Sequence, residues 1–133
     1  MYSMKQVCEM TGLSYEALRF YCNQGLIPNV KRAANNYRQF DERDVAWLQG
    51  MLLLRKSGMG LAEMKDYMYL CLAGRDSIPE RQRMLASQAE RLRDQMAELQ
   101  ASLDFIRDKQ RYYQQVLDGE IAYTSNLIDV GEN

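Results

Sequence analysis

The amino-acid sequence predicts a mainly α-helical protein, in which an N-terminal winged helix-turn-helix domain is followed by a long coiled-coil dimerisation helix. Two observations predict this fold. Residues 4–40 contain two short amphipathic helical patterns, a glycine turn between them and a small basic hairpin. Residues 80–118 contain neither glycine nor proline and hold a seven-residue apolar repeat.

The first element is a pair of short helices. Met4, Val7 and Cys8 are spaced to form one apolar helical face, and Gly12 follows where the chain must turn. Ser14 suits the N-cap of the second helix, because its hydroxyl can accept from free N–H groups of the first turn. Helix, glycine-containing turn and helix form the helix-turn-helix motif, whose second helix enters the DNA major groove.

A small two-stranded wing is predicted between residues 26 and 40. The runs 26–31 and 37–40 are expected to be extended, and they flank Asn35-Asn36, which tolerates the positive φ of a hairpin turn. Three basic residues would let this wing contact phosphates, namely Lys31, Arg32 and Arg38. A solvated basic loop is the alternative interpretation.

A second helical pair follows the wing. Acidic residues at 41–44 open a helix where the macrodipole favours them, and Gly58 and Gly60 interrupt it. In the next helix we expect an inward face made of Leu61, Met64, Met68 and either Cys71 or Leu72. A connector then runs from Gly74, near a C-cap, to Pro79, which suits a first helical turn.

The last helical segment carries a coiled-coil repeat. Apolar or aromatic side chains fill nine of ten seam positions over nearly five heptads, which span about 50 Å. The dimerisation residues predicted from this seam are Leu85, Leu92, Met96, Leu99, Leu103, Ile106, Tyr113 and Leu117. The flanking positions contain no acid, so they leave the direction of pairing open. A long surface helix covering the N-terminal domain is the alternative.

Composition limits the classes of function. Residues 1–75 carry ten basic and seven acidic side chains, whereas residues 76–133 carry seven and eleven, so only the first part suits a phosphate backbone. Three cysteines without metal-site spacing, together with the lack of a signal peptide or membrane span, indicate a cytoplasmic protein with reduced thiols. The chain has no histidine and no phosphate-binding loop, so we expect neither an enzyme nor a cofactor.

Spaced sequence strings resemble the MerR family of bacterial transcription regulators. They are Leu18-Arg19-Phe20-Tyr21, Gly25-Leu26-Ile27, Asn36-Tyr37-Arg38-Gln39-Phe40, Asp44-Val45, Leu54-Arg55-Lys56-Ser57-Gly58 and Leu61-Ala62-Glu63-Met64. The resemblance implies a homodimer joined by an antiparallel coiled coil. It also implies binding to a pseudo-palindromic promoter operator, with distortion of the spacer DNA that lets RNA polymerase engage both promoter elements.

The resemblance also implies the residues that contact DNA. Ser14, Tyr15 and Glu16 would lie nearest the bases, and Arg19 and Tyr21 would bind phosphates. Phosphate contacts from the wing would come from Arg32, Tyr37 and Arg38, and those from the second helical pair from Arg55 or Lys56 with Lys65. Glu16 departs from the basic or small residue common at this position in the family, and it could accept from a cytosine amino group.

The segment after the coiled coil has sixteen residues and lacks cysteine and histidine, so we expect neither the family's metal-binding loop nor its drug-binding domain. The sequence therefore predicts a DNA-binding domain at 1–75, a linker and coiled-coil helix at 76–117, and a short effector or docking tail at 118–133. Two effector sites remain open. One is a thiol sensor at Cys71; the other is a small-ligand site between the partner's domain and tail residues such as Tyr112, Tyr113 and Tyr123.

Two other functions stay open from the residues alone. A constitutive architectural repressor would bind DNA without any effector. A coiled-coil adaptor would bind protein through its winged head, although the basic wing argues against this.

Overall fold

The computed structural model describes residues 1–131, so the last two residues of the predicted tail lie outside the described residues. The chain is mainly helical, as predicted, and divides into two compact units, Met1–Ala89 and Glu90–Asn133. The elements in chain order are α1 (Met4–Thr11), α2 (Tyr15–Asn23), β1 (Lys31–Arg32), β2 (Arg38–Gln39), α3 (Glu42–Lys56), α4 (Leu61–Ala73), a 3₁₀ turn (Arg75–Ser77) and α5 (Ile78–Leu117).

The predicted helix-turn-helix is present in α1 and α2. Gly12 ends α1 in the left-handed conformation, with φ of 76°, which is why a glycine stands there. Ser14 caps α2 as predicted, since its hydroxyl accepts from the backbone N–H of Ala17 at 3.1 Å. The turn between the helices is therefore determined by two local residues.

The wing is shorter than predicted. Its antiparallel strands have two residues each, with Lys31 opposite Gln39 and Arg32 opposite Arg38. The expected strand over 26–31 is wrong, because Leu26 and Ile27 are buried in the core and the chain turns at Pro28. The hairpin turn itself is where the sequence predicts it, with Asn36 at φ of 67°.

The core of the first unit is contributed by α1–α4 and by the segments around the wing. Its fully buried members include Val7, Leu18, Leu26, Phe40, Leu48, Met59 and Met64. The chain before α1 joins this core through reciprocal backbone hydrogen bonds between Tyr2 and Phe40, at 2.6 and 2.9 Å. In α4 the inward face holds Met64 and Met68, whereas Leu72, one of the two alternatives predicted there, is 55% exposed.

The start of α5 is hydrogen-bonded to the preceding elements of the first unit. Gly74 ends α4 with φ of 91°, and Arg81 donates to the Gly74 carbonyl at 2.6 Å and to the Ser77 hydroxyl at 2.9 Å. Farther along, the Gln88 side-chain amide donates to the carbonyl and hydroxyl oxygens of Ser57, both at 3.0 Å. Gln88 is only 4% exposed, so this is a buried polar contact.

In the second unit, α5 continues to Leu117, and Gly119 follows at φ of 77°. The tail is held by the Tyr112 hydroxyl, which accepts from the Thr124 backbone N–H at 2.6 Å. No helix within residues 1–131 is both long enough and apolar enough to cross a membrane.

Candidate DNA-binding surface

Helix α2 presents two different faces. Leu18 and Tyr21 are buried in the core at 0% and 8% exposure, whereas Tyr15, Glu16 and Arg19 are exposed. This arrangement follows from helical periodicity, because positions 18 and 21 lie on the face opposite 16. The exposed face carries the predicted base-proximal residues Tyr15 and Glu16, while Tyr21 has little surface left for the phosphate contact that the resemblance implies.

The wing is stiffened by local hydrogen bonds. The Arg32 guanidinium donates to the Asn36 carbonyl at 2.8 Å, and the Tyr37 N–H donates to the Asn35 side chain at 3.1 Å. Tyr37 is left 73% exposed at the tip. The wing thus presents an aromatic hydroxyl and the Arg32 cation on a hairpin whose turn geometry is internally supported.

A groove, here named the wing groove, lies among the start of α1, the start of α2 and the wing. It has a volume of about 300 Å³ and is lined by Ser3, Met4, Lys5, Tyr15, Arg32, Asn36, Tyr37 and Arg38. Three of these side chains are cationic and none is acidic, so the groove suits an anion. Lys5 is a member that the sequence analysis missed, although its place on the polar face of α1, next to Met4 in sequence, was available as a signal.

Arg38 and Lys31 both have partners within the first unit. The Arg38 guanidinium donates to the Asn23 side-chain oxygen at 2.8 Å, which joins the wing to the end of α2. Lys31 forms ion pairs with Asp41 at 2.8 Å and Asp44 at 2.9 Å. The hydrogen bonds that Lys31 donates to the carboxylates of Asp41 and Asp44 raise the pKa of Lys31. Its charge is thus compensated by two acids, whereas no acid within residues 1–131 forms an ion pair with Arg32.

The second helical pair contributes three further candidates. Arg55 and Lys56 are exposed in the last turn of α3, and Arg55 donates to the Met59 carbonyl at 3.3 Å. In α4, Lys65 donates to the Gln24 side chain at 2.8 Å, directly after the end of α2. Lys65 is therefore adjacent to the recognition helix, which the linear sequence does not indicate.

The seam of α5 is mostly exposed in the single chain. Leu99, Met96 and Ile106 are 70%, 61% and 52% exposed, and Leu85 and Leu103 are more than one-third exposed. The seam residues predicted from the sequence therefore lie largely at the surface of the single chain.

The three cysteines differ in their surroundings. Cys8 and Cys22 pack against the core, and burial raises the pKa of the Cys22 thiol. Cys71 is half-buried on α4, where the Arg81 guanidinium donates to its backbone carbonyl at 3.5 Å and so places a positive charge nearby. Within residues 1–131 no cluster of three or more histidine, cysteine or acidic side chains is placed to hold a metal.

Comparisons with known proteins give relatives along most of the chain. A family model described as MerR HTH family regulatory protein matches residues 2–70. An uncharacterized HTH-type transcriptional regulator of Haemophilus influenzae is 34% identical over 113 residues, which are 85% of this chain and 84% of that protein. The HTH-type transcriptional regulator AdhR of Bacillus subtilis is 32% identical over 90 residues, which are 68% of this chain and 64% of AdhR.

Solved structures agree with these relatives. The crystal structure of HiNmlR, described as a MerR family regulator lacking the sensor domain and bound to promoter DNA, has a TM-score of 0.80 and 33% identity, covering 88% of this chain and 89% of that one. A MerR family regulator from Listeria monocytogenes has a TM-score of 0.82 and 26% identity, covering 90% of each chain.

Proposed function

Since the chain belongs to the MerR family of DNA-binding transcription regulators, which are not enzymes, we propose that it binds a pseudo-palindromic promoter operator as a homodimer and distorts the spacer to control RNA polymerase. The observation that carries the proposal is the wing groove, in which Lys5, Tyr15 and Arg32 lie together. A cationic groove beside an exposed recognition helix is the arrangement that a phosphate backbone requires.

Within this proposal the contacts divide into two classes. Arg19, Arg32, Tyr37 and Arg38, together with Lys5, bind phosphates and fix the register of the head on the duplex. Ser14, Tyr15 and Glu16 lie at the N-terminal end of α2. The N-terminal residues of a recognition helix are the ones that contact base edges. Within residues 1–131 Glu16 forms no ion pair with the wing. Its carboxylate would accept from a cytosine amino group.

The second helical pair would extend the phosphate contacts. Arg55 and Lys56 are exposed at the end of α3, and Lys65 is held beside the end of α2 by Gln24. Lys31 differs from these residues, because its charge is compensated by Asp41 and Asp44. We therefore expect Lys31 to support DNA binding mainly by attaching the wing to the start of α3.

The exposed seam of α5 supports the homodimer. Two copies of α5 that pair along this stripe in antiparallel orientation would remove Leu99, Leu103 and Ile106 from water. HiNmlR is described as lacking the sensor domain and as bound to promoter DNA. That likeness supports operator binding by this chain. The energetic cost of distorting the spacer would depend on the DNA sequence.

The signal that such a regulator would detect is a separate part of the proposal. Cys71 is the candidate thiol sensor, since it is half-buried on α4 and lies at a cavity. The alternative is a constitutive repressor without an effector. Treatment of the DNA-bound protein with a thiol reagent distinguishes the two, because a Cys71 sensor predicts a transcriptional change that the Cys71→Ser variant lacks.

The experiment that tests DNA binding is a fluorescence-anisotropy titration against the promoter DNA of the protein's own operon at two salt concentrations. Arg19→Ala and Arg38→Ala are compared with Arg83→Ala, an exposed arginine of α5 outside the proposed surface. We expect tight, salt-sensitive binding that weakens in the first two variants and persists in the third. Equal binding of random DNA, or indifference to Arg19 and Arg38, would leave the coiled-coil adaptor as the better interpretation.

Spacer distortion needs its own measurement. Donor and acceptor dyes at the two ends of the operator duplex report its end-to-end distance by energy transfer. Bending predicts higher transfer when protein binds, and unchanged transfer at saturating protein would contradict the distortion while leaving DNA binding intact.

A further inference from the structure

A cavity of about 310 Å³ lies in the first unit between the loop that follows α2 and helices α3 and α4. Its apolar lining comes from Pro28, Trp47, Met68 and Leu72, and its polar rim includes Arg43. This volume lies at the lower end of the range for small-molecule sites, so it suits a ligand of one or two rings.

The aromatic wall of this cavity is held in place. The Trp47 indole N–H donates to the Leu26 carbonyl at 2.8 Å, and the ring stacks on Tyr67 at an interplanar angle of 3°. Because the indole N–H already has a partner, Trp47 offers a ligand only apolar ring surface. A flat, fixed apolar wall favours a planar ligand without requiring rearrangement of the site.

The two charged residues of the polar rim, Asp44 and Arg43, differ in their hydrogen-bond and ion-pair partners. The Asp44 carboxylate already accepts from Lys31 and from the Asp41 N–H, both at 2.9 Å. Arg43, in contrast, forms no hydrogen bond or ion pair with any residue in the described range 1–131. Arg43 and Trp47 are four residues apart on α3 and therefore lie on the same face of the helix.

We propose that this cavity, named here the Trp47 site, binds a small aromatic carboxylate whose ring packs on Trp47 and whose carboxylate pairs with Arg43. A guanidinium recognises a carboxylate through two parallel N–H···O bonds, and the first turn of α3 adds a favourable dipole. Binding itself does not depend on the proposed function. An effect of the ligand on promoter binding, in contrast, rests on the proposed function. Its route would be Asp44, which lines the site and forms an ion pair with Lys31 of the wing.

The test uses phenylacetate as the probe, with phenylacetamide as its neutral isostere. Trp47 is the only tryptophan of the chain, so the single indole N–H resonance in a ¹⁵N-correlation spectrum reports on the site. We expect a saturable shift with phenylacetate, and binding of phenylacetamide about tenfold weaker, since one charged pair contributes roughly that factor.

Three variants make the result specific. Arg43→Gln should weaken phenylacetate binding about tenfold and leave phenylacetamide unchanged, whereas Arg83→Gln should change neither. Leu72→Phe should narrow the cavity and weaken both shifts without adding a second indole N–H, and it is tolerable for folding because Leu72 is largely exposed. A thermal melt of each variant checks that the fold is intact.

A second readout is independent of the resonance. Cys71 lines the cavity, whereas Cys8 and Cys22 do not, so phenylacetate should slow alkylation of Cys71 alone by iodoacetamide. The proposal is overturned by the absence of a saturable shift, by equal affinity for the two probes, or by unchanged phenylacetate binding in Arg43→Gln. Each of these results leaves the anisotropy titration of DNA binding unaffected, so the two proposals can fail separately.

Discussion

The Arg38 guanidinium in the second wing strand donates to the side-chain oxygen of Asn23, in the last turn of the recognition helix, at 2.8 Å. This hydrogen bond joins two elements that are fifteen residues apart and that are both proposed to contact DNA. Arg38 can therefore affect DNA binding either as a cation beside a phosphate or as a connection between the wing and α2.

The salt dependence of binding separates these two roles. Arg38→Ala should lower the slope of log affinity against log salt by about one, because one phosphate contact is lost. Asn23→Ala keeps the charge and should leave the slope unchanged, with an affinity loss below about tenfold for one exposed hydrogen bond. Anisotropy titrations at several salt concentrations provide both slopes. An unchanged slope in Arg38→Ala would remove Arg38 from the phosphate contacts.

The pairing of Lys31 with Asp41 predicts a pH dependence of stability. The hydrogen bond from Lys31 lowers the pKa of Asp41 from its ordinary value of 3.8 to about 2. A carboxyl with a lowered folded-state pKa stabilises the fold above its unfolded-state pKa, and this contribution is lost as pH falls toward about 2. Asp41→Asn retains an oxygen that can accept from the Asp44 N–H, so it removes mainly the charge.

We therefore expect wild type to melt at a higher temperature than Asp41→Asn at pH 7, and the gap to close between pH about 4 and about 2. Glu42→Gln serves as the control, since Glu42 is the next residue and its carboxylate accepts only a 3.4 Å hydrogen bond from the Tyr2 hydroxyl within the described range 1–131. A gap that persists at pH 2 would contradict the assignment.

Local signals predicted the helix-turn-helix because its geometry depends on neighbouring residues. Gly12 and Asn36 act through a positive φ, and Ser14 acts as an N-cap, so each affects only residues a few positions away. All three have the conformation or contact that the sequence predicts for them. The long helix was predictable for a related reason, since a heptad repeat is a property of one segment. The family comparison confirms the fold class that these signals predict.

Long-range contacts account for what the sequence could not predict. The strand over 26–31 was wrong because tertiary burial of Leu26 and Ile27 overrides their extended propensity. The charge of Lys31 is compensated by acids ten and thirteen residues away in sequence. Lys5 reaches the wing groove only after α1 and the wing fold together. Charge counting along the chain assigns all three basic wing residues the same role, whereas the fold separates Lys31 from Arg32.

The buried contact between Gln88 and Ser57 gives a prediction about stability. The Gln88 amide nitrogen donates to both Ser57 oxygens, while within residues 1–131 its Oε1 has no partner. Gln88→Glu would replace the donor with a charged acceptor facing the Ser57 carbonyl, so we expect a loss of about 3 kcal/mol at pH 7. Urea unfolding measures this difference, with the exposed Gln82→Glu as the matched control.

The pH dependence of that variant has a defined sign. Burial would raise the pKa of the introduced carboxyl, so the penalty is full above that pKa and shrinks as pH falls toward the unfolded value near 4.3. A Gln88→Glu variant as stable as Gln82→Glu at pH 7 would show that the Ser57 contact does not attach α5.

The Tyr112 hydroxyl predicts how the tail is ordered. It accepts from the Thr124 N–H and lies 3.0 Å from the Thr124 hydroxyl, and these hydrogen bonds lower the pKa of Tyr112. Tyr112→Phe should therefore increase amide hydrogen exchange at Thr124 severalfold, while Tyr69→Phe, an exposed tyrosine of α4, should not. Equal exchange in both variants would mean that other contacts hold the tail.

The exposed seam of α5 gives the sharpest prediction for assembly. Leu99 occupies a central seam position and is 70% exposed in the single chain, whereas Ala101 is exposed two residues later, outside the seam. If two copies pair along the seam, Leu99→Lys places a charge in a dry interface and should convert the dimer to monomer at micromolar concentration. Ala101→Lys adds the same charge on the outer side of the helix and should remain dimeric.

Sedimentation velocity distinguishes these outcomes directly, and operator binding should follow them. A monomer contacts one half-site, so Leu99→Lys should lose affinity for the full operator far more than for an isolated half-site. Both variants keep the charge of the head, so their affinities for a half-site should agree with that of wild type. Dimeric Leu99→Lys protein would exclude the seam as the interface, and a monomeric Ala101→Lys variant would move the interface to the opposite side of α5.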